Sequence, residues 1–127
     1  MRIEIWSVDS DTIFNKVTLD SLTLYFEGKE NELVYDNQSG VSIIEIPLAD
    51  TTENLKLILR INDGMNDELR VNYKPYFVFR STECGVINRY EIIEIEPTNN
   101  EIRYIETKNE IVDESKSVNL RMVIDAD

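Results

Sequence analysis

Apolar side chains recur at every second position in the middle of the chain. Leu55, Leu57, Leu59 and Ile61 alternate with Lys56, Arg60 and Asn62, which is the two-residue period of a half-buried strand. Ile58 interrupts the polar row, so the second face is partly covered as well. Residues 63–67, Asp-Gly-Met-Asn-Asp, supply turn chemistry, because Gly tolerates positive φ and Asn or Asp bonds the local backbone. Alternation resumes at Leu69, Val71 and Tyr73, which predicts an antiparallel hairpin. Lys74-Pro75 predicts a second break. Tyr76-Phe77-Val78-Phe79, apolar on both faces, then predicts a central strand of a packed sandwich. Residues 54–81 thus read as three strands and two turns, a scaffold for the rest.

Ahead of the scaffold, residues 2–7 alternate Ile3 and Ile5 against Arg2, Glu4 and Trp6 and predict a first strand. Residues 8–16 are polar and irregular. Val17 and Leu19 share one parity and Leu22, Leu24 and Phe26 the other, so a bulge or break near Asp20-Ser21 resets the register. Residues 28–32 and 37–40 read as turns around a short strand at 33–35, with a further strand at 41–46. Pro47 and residues 49–53 form a connection in which Asp50 or Thr51 offers a cap for one helical turn, although nothing follows at helical spacing. Beyond the scaffold, residues 82–86 read as a loop. Residues 88–96 and 101–107 predict strands joined by a hairpin turn at Pro97-Thr98-Asn99-Asn100. Residues 108–117 are turn-like apart from Ile111-Val112, and Val118, Leu120, Met122 and Ile124 mark a last strand. The pattern predicts an all-β fold: one antiparallel β-sandwich over residues 1–127, jelly-roll-like or Greek-key, with about nine or ten strands and little or no helix.

A chain of 127 residues buries roughly two-thirds of its unfolded surface, enough for a core without staples. The single Cys84 cannot form an internal disulfide, and the acidic start of the chain has no apolar signal core. A soluble, cytoplasmic protein with no membrane association is the expectation. The net charge of −12 argues against direct nucleic-acid binding, where neutralising phosphate supplies much of the affinity. Residues 1–50 carry ten acids and three bases, residues 51–90 five and six, and residues 91–127 ten and four, giving −7, +1 and −6. The scaffold is therefore a near-neutral divider between two acidic flanks.

The absence of histidine removes Ser-His-Asp and Cys-His catalysis and the usual zinc sites. No phosphate-binding glycine motif is present. The chain is expected to be non-enzymatic and to need no cofactor. Calcium is the alternative, with Asp9, Asp11, Asp63 and Asp67 in loops that one pole of a sandwich could gather. Trp6, Tyr25, Tyr73, Tyr76, Tyr90 and Tyr104 offer a carbohydrate platform or a partner's hot spot. Cys84, flanked by Glu83, reads as a bystander thiol.

The candidate partner surface is the acidic final third: Glu91, Glu94, Glu96, Glu101, Glu106 and Glu110 on one hairpin and its exit. Glu94 and Glu96 lie about 6.8 Å apart on one strand face. Duplex DNA carries one charge per roughly 1.7 Å of axis, so mimicry needs acids from several strands to converge. The expected function is an acidic protein–protein interaction module. Its most concrete form is a small, phage-encoded inhibitor or decoy that binds a basic surface of a nucleic-acid-processing protein. The likeness to anti-restriction and anti-CRISPR inhibitors is one of charge and size alone, and no motif matches a particular family. Two alternatives stand beside it: a homo-oligomeric structural subunit, such as a virion or tail component, and a calcium- or carbohydrate-binding sandwich.

Overall fold

In the computed structural model, which describes residues 1–9, 13–49, 52–83, 85–113, 115 and 117–125, the alternating runs become eleven strands. They are β1 (Arg2–Val8), β2 (Phe14–Lys16), β3 (Leu22–Phe26), β4 (Tyr35–Gln38), β5 (Ile43–Glu45), β6 (Asn54–Ile61), β7 (Asn66–Ser81), β8 (Gly85–Pro97), β9 (Ile102–Thr107), β10 (Ile111–Val112) and β11 (Leu120–Asp125). Among the described residues there is no helix. The helical turn considered at Asp50 or Thr51 lies outside them.

Two sheets pack together. One runs β2-β1-β11-β9 with β5 also on β1, and the other runs β10-β8-β7-β6-β3-β4. All pairs are antiparallel except β1 and β11, which run parallel with Ile3 beside Leu120 and Ile5 beside Met122. The inward rows of both sheets make one core. Ile3, Ile5, Leu120 and Met122 come from the first sheet, and Leu22, Leu24, Leu57, Leu59, Leu69 and Val71 from the second, each fully or almost fully buried.

Several local expectations change. Residues 54–81 form two strands, not three, because β7 continues through Pro75, which sits opposite Tyr90 on β8. β6 stops pairing with β7 at Asn72, so Pro75 has no β6 partner that would need an N–H, and a proline is tolerated there. The expected loop at 82–86 is shorter, since β8 begins at Gly85, which has φ +69°. Asn37 and Gln38, read as a turn, belong to β4, with Asn37 at φ 46°. β2 is an additional short strand within a segment read as irregular, and Ile111-Val112, the apolar pair in an otherwise turn-like segment, forms the short strand β10.

The largest correction concerns β8 and β9. The turn composition of Pro97-Thr98-Asn99-Asn100 predicts that they pair as a hairpin, but they belong to different sheets. The chain crosses the pole of the sandwich between them, and Asp67 fixes that crossing. Asp67 shares the inward parity of Leu69 and Val71 and is buried. Its Oδ1 accepts from Thr98 Oγ1 (2.7 Å) and the Asn100 N–H (2.8 Å), and its Oδ2 from the N–H groups of Glu101 (2.7 Å) and Ile102 (2.9 Å). Four donors on one carboxylate hold the 97–102 segment against the start of β7 and direct β9 into the other sheet.

Candidate functional site

The six candidate glutamates divide among four places. Glu91, Glu94 and Glu96 lie on the outer face of the six-stranded sheet, opposite Lys74, Asn72 and Arg70 respectively. Glu106 lies on the outer face of the other sheet, opposite Arg121 and bonded to Lys108 at 2.8 Å. The adjacent Lys108 holds its carboxyl below the usual range. Glu101 stands at the crossing, where its Oε1 accepts the Met65 N–H at 3.2 Å. Glu110 precedes β10, and its carbonyl accepts the Ile92 N–H.

The acids therefore do not build one surface. Glu94 and Glu96 do share a face, and the hydrogen bond and charge of Glu94 raise the Glu96 carboxyl above its ordinary value. Around them, cations interleave. Lys56 bridges Glu27 (3.1 Å) and Glu68 (3.2 Å), and Arg70 also reaches Glu68. The Glu68 carboxyl is held low chiefly by its bond to Lys56. On the other sheet, Arg2 pairs with Glu45 and Lys16 with Glu4.

The calcium candidates separate in a similar way. Val8 lies beside Asp125, Ile124 beside Ile102, and Ile102 binds Asp67, so Asp9, Asp63 and Asp67 share one pole. They do not converge. The Asp67 oxygens are occupied by N–H and O–H donors, which a cation would have to displace. Asp9 accepts the Ile13 N–H at 3.1 Å, and Asp63 occupies the β6–β7 turn at φ 57°. Asp11 lies outside the described residues. Among those described, no three His, Cys, Asp or Glu side chains gather as metal ligands would.

Nor do the aromatics form a platform. The Tyr73 hydroxyl bonds the Ala49 carbonyl (2.9 Å) and Thr52 (2.7 Å), and its ring meets Tyr90 edge-on at 5.8 Å. Trp6 carries Arg121 over its ring at 4.5 Å, with Lys16 at 5.7 Å. This cation–π arrangement occupies the ring that a sugar would stack on. Tyr25 is on the outer face of the six-stranded sheet, across from Ile58, and Tyr104 is on that of the other sheet, across from Val123. Cys84 lies outside the described residues.

One surface was not anticipated. Beyond Asn72, where β6 ends its pairing, and beyond Tyr90, where β10 ends its pairing, β7 and β8 continue together as a two-stranded arm. It leaves the pole opposite Asp67. Leu69, Val71, Tyr73, Pro75, Phe77 and Phe79 share one strand face, and Val86 lies opposite Phe79. In the body this face is core, and the Tyr73–Tyr90 contact ends it. On the arm, the same face leaves Phe77 69%, Phe79 67% and Val86 58% exposed. The sequence signal was the apolar run itself; what it could not reveal is that the opposite sheet stops short of it.

Fold and surface together define an all-β sandwich with a projecting apolar β-arm and oppositely charged residues interleaved on its outer faces. The chain belongs to a family of unknown function, DUF6452, whose model matches residues 21–124, from just before β3 to near the end of β11. The match includes the whole arm. No curated protein and no solved structure matches the chain. No helix among the described residues is long and apolar enough to cross a membrane.

Proposed function

We propose that the chain is a non-enzymatic protein–protein interaction module whose contact element is the β7–β8 arm. The observation that carries this reading is the exposure of Phe77, Phe79 and Val86 together on one face. Large aromatic side chains with neighbouring apolar surface are what an interface anchor requires. Scattered exposed apolar residues need no explanation, whereas a contiguous apolar face on a protrusion does.

The narrower form of the proposal is a cytoplasmic acidic inhibitor that docks on a basic surface of a nucleic-acid-processing protein. It draws support from Glu91, Glu94 and Glu96 on one outer face. Against it stand Lys74 and Arg70 across from two of these acids and the placement of Glu106 on the other sheet. The arm is therefore the better-supported contact.

A pull-down from the native cell at low and high salt, with three forms of the protein, separates the two. With the arm as contact, Phe77→Ser/Phe79→Ser loses the recovered partner, while Glu91→Gln/Glu94→Gln/Glu96→Gln keeps it. The reverse pattern, with recovery falling steeply as salt rises, supports the acidic inhibitor. Retention by both variants removes both forms.

A further inference from the structure

We infer that the free edge of β7 on the arm takes an extended peptide segment of a partner protein, added as a strand in the track that β6 vacates. This rests on the reading of the arm as the contact element, and it makes the backbone the recognition surface.

One bond fixes which way that backbone faces. The Tyr73 N–H donates to the Glu53 carbonyl, on the β6 side, and residues two apart on a strand turn their N–H and C=O groups to the same side. Pro75, Phe77 and Phe79 therefore face the β6 track, while Lys74, Tyr76 and Val78 face β8 at Glu91, Arg89 and Ile87. β6 itself begins at Asn54, opposite Asn72. Among the described residues no strand pairs with β7 in the track beyond Glu53. Phe77 and Phe79 thus each present a backbone donor and an acceptor there, and Pro75 an acceptor alone.

An unpaired strand edge is a template for another strand. Pro75 blunts the root of this one, but from Tyr76 to Phe79 no charged residue interrupts it. The rings of Phe77 and Phe79 are exposed on one face, and Val78, opposite Ile87, lies on the other. The segment that fits is apolar on both faces, about five residues long, and antiparallel to β7 as β6 is, so that Phe77 and Phe79 exchange both bonds with it. Size and charge favour such a peptide over a second folded surface. Three exposed apolar side chains, Phe77, Phe79 and Val86, fall short of the roughly 800 Å² per partner in a standard interface. Strand addition draws its affinity from main-chain bonds instead. A second copy would bring two chains of net charge −12 together, which like-charge repulsion opposes.

The test selects a displayed library of random dodecapeptides against the immobilised full chain and resynthesises the enriched sequences. These are expected to share a short apolar run without proline. On saturation with such a peptide, the Phe77 and Phe79 amides should exchange at least about tenfold more slowly with deuterium. N-methylation at alternate residues of the run should weaken binding at least about tenfold, since each methyl also strands an acceptor on β7, and at the intervening residues by no more than about twofold. On the chain, Phe79→Pro, which deletes an edge N–H that β8 does not use, should lose binding where Phe79→Leu keeps it. Pro75→Ala, which supplies a donor, should strengthen it about two- to tenfold, the worth of one net hydrogen bond. No enriched peptide, binding indifferent to the position of the N-methyl group, or unprotected Phe77 and Phe79 amides overturns the inference. Protection of those amides with no peptide added, rising with protein concentration, points to a second copy and overturns it too. If strand addition fails but Phe77→Ser/Phe79→Ser still abolishes capture of the cellular partner, the arm remains the contact element through its side chains. If that capture is also retained, the contact reading fails as well.

Discussion

Asp67→Asn is expected to cost about 2–4 kcal/mol of unfolding free energy, a large effect for an isosteric change. The substitution keeps one carboxyl oxygen and replaces the other with an NH₂ group. Two of the four donors now on Asp67, from the set Thr98 Oγ1, Asn100 N, Glu101 N and Ile102 N, would then face another donor. Each buried donor left without an acceptor costs about 1–3 kcal/mol, and Asp67 is only 1% exposed, so water does not replace the lost bonds. Urea unfolding should show a lower midpoint with an unchanged slope. The melting temperature should fall by roughly 10 °C, at about 3–5 °C per kcal/mol for a chain of this size. A change within about 0.5 kcal/mol, the ordinary range for a surface substitution, would mean that the carboxylate does not hold the crossing between the sheets.

Asn119→Asp is the mirror-image experiment. Asn119 is buried just ahead of β11. Its Oδ1 accepts the Arg2 N–H at 3.0 Å, while its Nδ2 donates to the carbonyls of Asn109 (3.0 Å) and Ile111 (2.9 Å). One side chain thus ties the start of β1 to the chain on either side of Glu110 and to β10. Aspartate keeps the first bond but turns two donor contacts into oxygen facing oxygen. A loss of about 2–4 kcal/mol is expected at neutral pH. The pH dependence carries the diagnosis. Two carbonyls beside the new carboxylate raise its folded pKa above the unfolded value, because the protonated form can donate to one of them. The penalty is therefore fully present at neutral pH and relieved as pH falls through that raised value. Melting curves of parent and variant should converge on acidification. A gap that is constant with pH would show that the two carbonyl contacts are not what the substitution breaks.

Alternation made much of the body legible. Leu57, Leu59 and Ile61, then Leu69, Val71 and Tyr73, then Leu120, Met122 and Ile124 all point into the core, because a period of two fixes which face a strand residue takes. The same parity also carried an unused clue to Asp67. An inward position held by an acid requires partners, although turn chemistry offered a simpler reason for it. What a local pattern cannot supply is the neighbour across a gap. Pro97-Thr98-Asn99-Asn100 has the composition of a hairpin turn, yet Asp67, thirty residues earlier, converts it into a crossing and sends Glu106 to a different sheet from Glu94 and Glu96. Lys74-Pro75 has the composition of a break, yet β6 has already ended and the strand continues. The run Tyr76-Phe77-Val78-Phe79 has the composition of a central strand and is the outer part of one. Its exposure follows from where the second sheet stops. For the same reason, the two acidic flanks of the sequence do not meet as one surface: β1, β9 and β11 carry some of their acids to one outer face, and β8 carries others to the opposite one.

The claim on which the functional account turns is that the β7–β8 hairpin beyond Tyr73 is a contact surface and not part of the hydrophobic core. Equilibrium unfolding of Phe77→Ser/Phe79→Ser tests it most directly. The exposure of both rings predicts a stability within about 1 kcal/mol of the parent, the sum of two ordinary surface changes. A loss of about 3 kcal/mol or more per ring, the scale of emptying a buried phenylalanine site, would contradict it.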